Sequence, residues 1–349
     1  MAKNPEQEER TDIGELGEFA LIDHLTKNFD THNASTLQGI GDDAAILESL
    51  GKQTVVSTDM LVEGVHFDLS YLPLKHLGYK SVVVNLSDIY AMNAEPTQIT
   101  FSMALSNRFS VEALEELYDG VHLACQEYGV DLIGGDTTSS QSGLIISVTA
   151  IGEVNESGAV TRSGAQENDL ICVSGDLGGA FMGLLLMERE KKIYLENPEV
   201  QPDLDGHEYI MQRLMKPEAR KDIITWLNEH KIMPTSMMDI SDGLSSELFH
   251  ITTKSKVGCT VYENKIPVHV DTQKMAMDLK MASVTAALNG GEDYELLFTI
   301  PQSDYEKITM SEEISVIGHI TSNADVRTLV TTSGNEVPLE AQGWNPLKK

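Results

Sequence analysis

Basic residues are scarce in this chain, whereas acidic residues are abundant. Lys and Arg together number 25 among 349 residues, against 54 Asp and Glu, so the formal net charge is −29. A surface of this sign repels nucleic acid and anionic membranes, which we exclude as partners. The surplus carboxylates have two interpretations, a solvated surface that aids solubility or a set of ligands for divalent cations. Composition alone is compatible with both.

Cysteines and long apolar runs are also scarce. The three cysteines, Cys125, Cys172 and Cys259, are far apart and form no CxxC pair. This excludes a disulfide framework or a thiolate zinc site, and it fits a reducing cytosol. No apolar run approaches the roughly 20 residues that span a bilayer, and residues 1–10 lack the apolar core of a secretory signal. We therefore expect a cytoplasmic protein.

The common nucleotide-binding motifs are missing as well. The sequence has no G-x-x-x-x-G-K-[ST], which excludes a P-loop enzyme, and it has no protein-kinase motif set. Residues 39–44 match G-x-G-x-x-A, but Asp42 and Asp43 inside that loop would face a pyrophosphate. We therefore reject a dinucleotide-binding fingerprint.

What the sequence does contain is an alternation of strand-like and helix-like segments. Helices are predicted over residues 15–26, 80–92, 111–128, 180–189, 218–230, 244–253 and 272–288. Strands are predicted over residues 54–57, 99–105, 131–133, 144–154, 170–173, 257–262, 294–299 and 314–320. This order predicts an α/β (α+β) protein with two lobes. A break near residue 155 divides the chain into domains 1–155 and 156–349, and residues 190–206 read as a polar surface excursion.

Five acidic turns carry the candidate chemistry. They are Gly41-Asp42-Asp43, Ser57-Thr58-Asp59, Asn85-Leu86-Ser87-Asp88, Gly134-Gly135-Asp136-Thr137 and Asp239-Ile240-Ser241-Asp242-Gly243. Any one of them has an ordinary explanation, because Asp beside Gly is common in turns. If they meet in space, however, their mutual repulsion requires divalent cations among them. Asp is a hard oxygen ligand for Mg²⁺, and such a site suits a polyphosphate.

Four further features each have two interpretations. Residues 175–179 can hold phosphate at a helix N-terminus or form a plain tight turn. The planar guanidinium of Arg162 can clamp a phosphate or simply lie on the surface. His66, just after an acidic turn, is either catalytic or structural. Trp344 either packs in the C-terminal tail or stacks on a cationic ring.

Taken together and in order, these motifs resemble the thiamine-monophosphate kinase family. Its superfamily includes aminoimidazole ribonucleotide synthetase, selenophosphate synthetase and a hydrogenase maturation protein. The resemblance extends from Gly17 to Trp344, and the ordered set is specific where single motifs are weak. Besides the five acidic turns, the matching stretches are Thr161-Arg162-Ser163-Gly164 and Gly290-Gly291-Glu292-Asp293-Tyr294-Glu295-Leu296. The latter stretch and the one around His66 point to the kinases within the superfamily.

The resemblance implies ATP-dependent phosphorylation of thiamine monophosphate to thiamine diphosphate, by direct in-line transfer with several Mg²⁺ ions. The implied metal ligands are Asp43, Ser57, Thr58, Asp59, Asp88, Asp136, Asp239 and Asp242. The implied ATP contacts are Gly135, Asp136, Arg162 and Ser241, and the implied thiamine-phosphate contacts are His66, Glu292 and Trp344. Asp88, Asp136, Arg162 and Asp242 are the implied catalytic residues. The family fold further implies a homodimer whose N-terminal lobes share a β-barrel, with each C-terminal lobe closing an active-site cleft.

The physical chemistry agrees with this resemblance, although alternatives stay open. An acceptor phosphate is already nucleophilic at neutral pH, so positioning and charge neutralisation suffice without a strong general base. One departure is Asn93, which stands where the family commonly has Gly; Asn also tolerates a left-handed backbone. The alternatives are a superfamily member that acts on a formylglycinamidine ribonucleotide, a non-catalytic cation or nucleotide binder, and a purely structural acidic protein.

Overall fold

The computed structural model describes residues 24–38, 46–47 and 53–340, which form two compact units. The first unit contains the described residues up to 52, with Val56–Asn85 and Thr97–Ile151. The second contains Gln53–Val55, Leu86–Pro96 and the described residues from Gly152 onwards. The described residues do not include the start of the helix predicted over 15–26, nor do they include Asp42, Asp43 and Trp344.

Helices and strands alternate through the described chain. The strands are β1 Thr36–Gln38, β2 Ile46–Leu47, β3 Thr54–Val62, β4 Ala94–Leu105, β5 Asp131–Ser139, β6 Ile145–Val154, β7 Leu170–Ser174, β8 Ser236–Asp239, β9 Gly258–Tyr262, β10 Leu296–Ile300, β11 Ile314–Thr321, β12 Arg327–Val330 and β13 Glu336–Pro338. The helices are α1 Leu74–Ala91, α2 Val111–Tyr128, α3 Gly179–Glu196, α4 Glu208–Met215, α5 Lys221–Glu229, α6 Leu244–Ser255, α7 Val270–Asp278, α8 Ser283–Asn289 and α9 Tyr305–Ile308. The predicted mixed α/β class is therefore confirmed.

The first unit contains a four-stranded sheet in the order β3-β6-β4-β5. Helix α2 has the predicted bounds, because its apolar residues recur at helical spacing and both ends are capped. Ser110 accepts a hydrogen bond from the backbone N–H of Ala113, and Gly129 ends the helix with a φ of 69°. A Cβ at Gly78 would overlap the Leu117 carbonyl oxygen, so this glycine lets α1 and α2 pack closely.

The second unit contains a seven-stranded sheet in the order β13-β12-β9-β11-β7-β10-β8. Neighbouring strands pair antiparallel, with β12 and β9 the parallel exception. Every residue of β10 is buried, and so is every residue of its neighbours β7 and β8 except the half-buried Leu170. The buried aliphatic side chains of this sheet pack with those of α6 in one apolar core. The end of β8 carries Asp239, so the core determines where this carboxylate lies.

Two acidic motifs predicted as turns lie inside strands. Gly135 and Asp136 belong to β5, which pairs in parallel with β4 and continues to Ser139. Glycine suggested a turn, but here the missing side chain is needed for strand pairing, since a Cβ at Gly135 would overlap the Phe101 carbonyl oxygen. Similarly, the 57–59 motif lies within β3, which extends to Val62. The β-branched residues around both motifs favour the strand over the turn.

The extent of some helices also differs from the prediction. Helix α3 continues through Glu196, into the segment predicted as a surface excursion. The single helix predicted over 272–288 is divided into α7 and α8, because Lys280 has a φ of 56° and interrupts the helical backbone. None of the helices in the described ranges is long and apolar enough to cross a membrane.

Candidate active site

In the second unit, the turn from Asp239 to Gly243 connects β8 to α6. Asp239 is 4% exposed, and its Oδ2 accepts a hydrogen bond of 2.8 Å from the Ser87 hydroxyl. Gly243 has a φ of 127°, and a Cβ there would lie 3.0 Å from the carbonyl oxygens of Leu288 and Gly290. The position therefore requires glycine. Ser87 brings helix α1, which also carries the half-buried Asp88, next to the Asp239 end of this turn.

Glu247, in the first turn of α6, holds the middle of the same turn. Its Oε1 accepts a hydrogen bond of 3.0 Å from the backbone N–H of Asp242. Burial, together with the negative charges of Asp242 and Asp239, raises the pKa of the Glu247 carboxyl to about 8. We did not predict this residue from the sequence. The signal that marks it is an acid in the first turn of a helix, where a side chain reaches back to a preceding N–H.

Arg162 and His250 lie close enough to Asp242 for their charges to act on its carboxyl. Burial raises the pKa of the Asp242 carboxyl, and the nearby His250 and Arg162 oppose that rise. Burial and the Arg162 charge lower the pKa of His250. The carbonyl oxygen of Thr161, the residue before Arg162, accepts a hydrogen bond of 3.0 Å from the backbone N–H of Met237 in β8. The structure thus brings the predicted Arg162 to the predicted Asp242, and it adds His250, which the sequence did not single out.

The segment from Gly290 to Glu295 lies against the same turn. The backbone N–H of Glu292 donates to the Ser241 carbonyl oxygen at 2.8 Å, and that of Tyr294 donates to the Ile240 carbonyl oxygen at 2.9 Å. A Cβ at Gly291 would overlap the Ser241 carbonyl oxygen. Glu292 has a φ of 67°, a left-handed conformation that is uncommon for a non-glycine residue. The predicted ATP contact Ser241 and the predicted substrate contact Glu292 are therefore neighbours.

Asp293 occupies the N-terminus of α3. Its Oδ2 accepts a hydrogen bond of 2.7 Å from the backbone N–H of Gly178, and its Oδ1 accepts one of 3.4 Å from that of Ala180. The side chain is 1% exposed, and burial raises its pKa to about 7. The phosphate interpretation of residues 175–179 is therefore not supported, because a carboxylate of the protein itself already binds these amides.

Buried ion pairs hold the segment that carries Asp293 and Glu295. Arg213 donates to Glu295 Oε1 at 2.9 Å and to the Asp293 carbonyl oxygen at 3.2 Å. Glu295 also pairs with Arg220 and accepts a hydrogen bond from Ser174. Removing one partner of a buried pair typically costs about 3–5 kcal/mol, since the remaining charge is left uncompensated. These pairs fix the backbone that presents Glu292.

In the first unit, three predicted metal ligands lie side by side on β3. Ser57 and Asp59 share one face of the strand, and Thr58 lies on the other, because successive side chains alternate. The Thr58 hydroxyl donates to the Val148 carbonyl oxygen at 2.9 Å. The backbone N–H of Asp59 donates to Asn85 Oδ1 at 2.9 Å. Ser57 and Asp59 thus lie on the same face, but Thr58 does not share it.

Asp136 and His66 also belong to the first unit. Asp136 is exposed on β5 opposite Ser102, and strands β6 and β4 lie between β5 and the strand of Asp59. The paired positions shift between Ile99 and Thr100, so a β-bulge lies directly before the Gly134-Gly135-Asp136 segment. His66 Nδ1 accepts a hydrogen bond of 3.0 Å from the backbone N–H of Val62, which gives this ring a structural contact.

Within the described ranges, no three His, Cys, Asp or Glu side chains are arranged so that they could hold a metal ion by themselves. The predicted ligand Asp43 and the predicted substrate contact Trp344 lie outside those ranges. A protein site for Mg²⁺ commonly uses only one or two carboxylates, with phosphate oxygens and waters as the other ligands. The residues present fit that kind of site better than a cage made of protein alone.

The fold and the acidic turns define an α/β protein of the AIR synthase-related class. The family described as AIR synthase related protein, N-terminal domain, matches residues 41–154. Across the whole chain, the thiamine-monophosphate kinase of Bacillus subtilis (strain 168) is 33% identical over 339 residues, covering 95% of this chain and 100% of that relative. The chain belongs to the thiamine-monophosphate kinase family, as the ordered motifs predicted.

Two solved structures agree with this assignment. A thiamine-monophosphate kinase from Stenotrophomonas maltophilia K279a has a TM-score of 0.76 at 32% identity, covering 92% of this chain and 98% of its own. AaThiL complexed with AMPPCP and TMP has a TM-score of 0.74 at 31% identity, covering 96% of this chain and 98% of its own. The similarity therefore includes nearly every element described above.

Proposed function

We propose that this chain transfers the γ-phosphoryl group of ATP to thiamine monophosphate, giving thiamine diphosphate and ADP by direct in-line transfer. The observation that carries the proposal is the match to the Bacillus subtilis thiamine-monophosphate kinase, which extends over 95% of this chain. The structure solved with AMPPCP and TMP supports the same pair of substrates. The Gly290–Leu296 stretch, which lies against the Ser241 turn, favours this acceptor over a formylglycinamidine ribonucleotide.

Several Mg²⁺ ions belong to this proposal. Asp88, Asp239 and Asp242 would hold metal in the second unit. In the first unit, Ser57, Asp59 and Asp136 would do so together with Asp43, whereas the Thr58 side chain lies on the other face of β3. The fit rests on the second unit, where the buried Glu247 Oε2 and Ser245 hydroxyl have no hydrogen-bond partner in the described structure, and where the charges of Asp239 and Asp242 both act on Glu247. When bound, Mg²⁺ neutralises charge on the phosphates of both substrates.

The chain's own residues bind and orient the two anions. Arg162 has the planar fork that pairs two phosphate oxygens, and Ser241 and Gly135 would contact ATP. Glu292, His66 and Trp344 would contact the thiamine monophosphate. The acceptor phosphate needs no strong base, so the rate enhancement comes from alignment and from fixed charges. Glu292 is suited to contact the thiamine monophosphate, because hydrogen bonds and buried ion pairs fix the backbone around it.

We further propose the predicted homodimer, in which N-terminal domains 1–155 share a β-barrel and domains 156–349 close the sites. Strand β3 is an edge of its described sheet, and its outward side chains Val56 and Met60 are 63% and 57% exposed. An exposed apolar edge strand is suited to pairing with another chain. Light scattering should show that the wild type is a dimer. The double variant Val56→Lys, Met60→Lys should be a monomer, and the control variant Val270→Lys, on α7, should remain a dimer. A monomeric wild type would contradict the dimer.

A cytoplasmic location is part of the same proposal. All three cysteines are free and buried. Burial raises the pKa of the Cys125 and Cys259 thiols to about 12, so they stay protonated and unreactive at neutral pH. Such thiols suit a reducing compartment.

The direct test is formation of thiamine diphosphate from ATP and thiamine monophosphate, with Mg²⁺ or with a chelator. We expect one thiamine diphosphate for each ADP, and only when Mg²⁺ is present. ATP binding without product would favour the non-catalytic alternative. Turnover of a formylglycinamidine ribonucleotide instead would place the chain elsewhere in the superfamily.

A further inference from the structure

Glu247 is a buried acid to which the proposed reaction assigns neither a ligand role nor a catalytic role. It is 1% exposed, and only one of its two carboxyl oxygens has a partner in the described structure. Oε1 accepts the hydrogen bond from the backbone N–H of Asp242, whereas the buried Oε2 has none. Buried carboxylate oxygens are normally satisfied, so an unpartnered one requires an explanation.

Another buried helical acid shows the usual arrangement. Glu190 in α3 is 4% exposed, and both of its oxygens are partnered. Oε1 accepts a hydrogen bond from Arg189 Nε at 2.8 Å, and Oε2 accepts one from the backbone N–H of Asp203 at 3.0 Å. Like Glu247, Glu190 uses one oxygen to hold a backbone N–H. The second oxygen distinguishes the two residues, because that of Glu247 has no hydrogen-bond partner in the described structure.

The surroundings of Glu247 indicate which kind of group would satisfy its second oxygen. The negative charges of Asp242 and Asp239 both act on the Glu247 carboxyl. The buried Ser245 hydroxyl, in the same helical turn, also has no partner in the described structure. Glu247 Oε2 and the Ser245 hydroxyl are thus unpartnered in the described structure, near two aspartates at the start of α6. A group that donates hydrogen bonds and carries positive charge would satisfy them.

We propose that Glu247 is a positioning residue for Mg²⁺: one oxygen fixes the Asp242 peptide, and the other accepts a hydrogen bond from a metal-bound water. Mg²⁺ retains several waters in its protein sites, and those waters are strong donors. Carboxylates outside the ligand shell commonly orient the ligands and tune metal affinity. This inference rests on the proposed function, because it assumes that Asp239 and Asp242 bind Mg²⁺.

The test measures Mg²⁺ binding to the full chain by calorimetry, without nucleotide, alongside steady-state kinetics. Glu247→Gln can still accept from Asp242 but lacks the second acceptor oxygen and the charge. We expect it to bind Mg²⁺ about 10- to 100-fold more weakly. The Mg²⁺ concentration for half-maximal activity should rise accordingly, with the KM for thiamine monophosphate within about twofold of wild type. Glu190→Gln is the matched control and should keep wild-type Mg²⁺ affinity even if it melts earlier.

A folded Glu247→Gln with wild-type Mg²⁺ affinity would overturn the inference, as would an equal loss of affinity in Glu190→Gln. If Glu247→Gln does not fold, Glu247→Asp is used instead, because its shorter side chain withdraws the second oxygen. Wild-type Mg²⁺ affinity in Glu247→Asp would also overturn the inference. If the wild type binds Mg²⁺ in a Glu247-dependent way but makes no thiamine diphosphate, the inference stands and the proposed function fails.

Discussion

The Ser87 hydroxyl donates a hydrogen bond to Asp239 Oδ2 across 2.8 Å, although the two residues are 152 positions apart. Both residues are buried, so the hydrogen bond is shielded from water. Ser87 directly precedes Asp88 in α1, and Asp239 is the last residue of β8. Two of the acidic motifs recognised in the sequence therefore meet in the second unit through a buried hydrogen bond.

Ser87→Ala tests this contact. Without the hydroxyl, the buried Asp239 carboxylate loses a donor and its orientation, at a cost of about 1–3 kcal/mol in unfolding free energy. We expect the Mg²⁺ concentration for half-maximal activity to rise several-fold. Ser81→Ala is the control, because Ser81 lies in the same helix, is fully buried and donates only to the Gly78 carbonyl oxygen. Equal Mg²⁺ dependence in the two variants would refute an orienting role for Ser87.

Gly135→Ala tests the pairing of β4 and β5. The added Cβ would overlap the Phe101 carbonyl oxygen, so the strands must separate locally. Overpacking of this kind typically costs about 1–3 kcal/mol, and chemical denaturation should show it. Gly134→Ala is the control one residue earlier, where a Cβ meets no atom within 4 Å. Equal destabilisation by both substitutions would contradict this account of the strand.

The buried Asp293 predicts a pH dependence of stability. Its pKa is raised from 3.8 to about 7, so the folded protein binds this proton more tightly than the unfolded chain does. Its contribution to stability is therefore complete below pH 3.8 and is lost as pH rises through about 7. Relative to Asp293→Asn, the wild type should lose unfolding free energy steadily between pH 4 and 7.

Urea denaturation at several pH values measures that difference, and groups common to both proteins cancel in the comparison. Asp278→Asn, on the exposed side of α7, controls for the loss of one surface carboxylate. A difference between wild type and Asp293→Asn that stays constant from pH 4 to 8 would show that Asp293 does not titrate in this range.

Some features could be read from the sequence because they depend on local pattern. Helix α2 was predicted with its observed bounds, since its periodicity and the Ser110 cap are local. Asn93 has a φ of 55°, as expected for a residue that replaces glycine. Its side chain adds contacts that glycine lacks, for Nδ2 donates to the Gly158 carbonyl oxygen at 2.7 Å and to the Ser157 hydroxyl at 2.8 Å.

Other features could not be read from the sequence because they depend on distant partners. The glycines of β5 suggested a turn, and only the position of the neighbouring strand shows why a side chain is excluded at Gly135. The amides at the start of α3 resembled an anion site, but Asp293, more than 110 positions later, occupies them. Glu247 looked like an ordinary helical acid, and its unpartnered oxygen appears only once α6 is packed.

The most direct test of the central claim compares the rate of thiamine diphosphate formation in wild type, Asp88→Asn and Asp136→Asn at saturating ATP. Each substitution preserves shape but removes a proposed Mg²⁺ ligand. We expect turnover to fall by at least about 10³-fold in both variants, with melting temperatures close to wild type. Wild-type turnover in either variant, at limiting Mg²⁺, would contradict the claim that these carboxylates hold the metal for phosphoryl transfer.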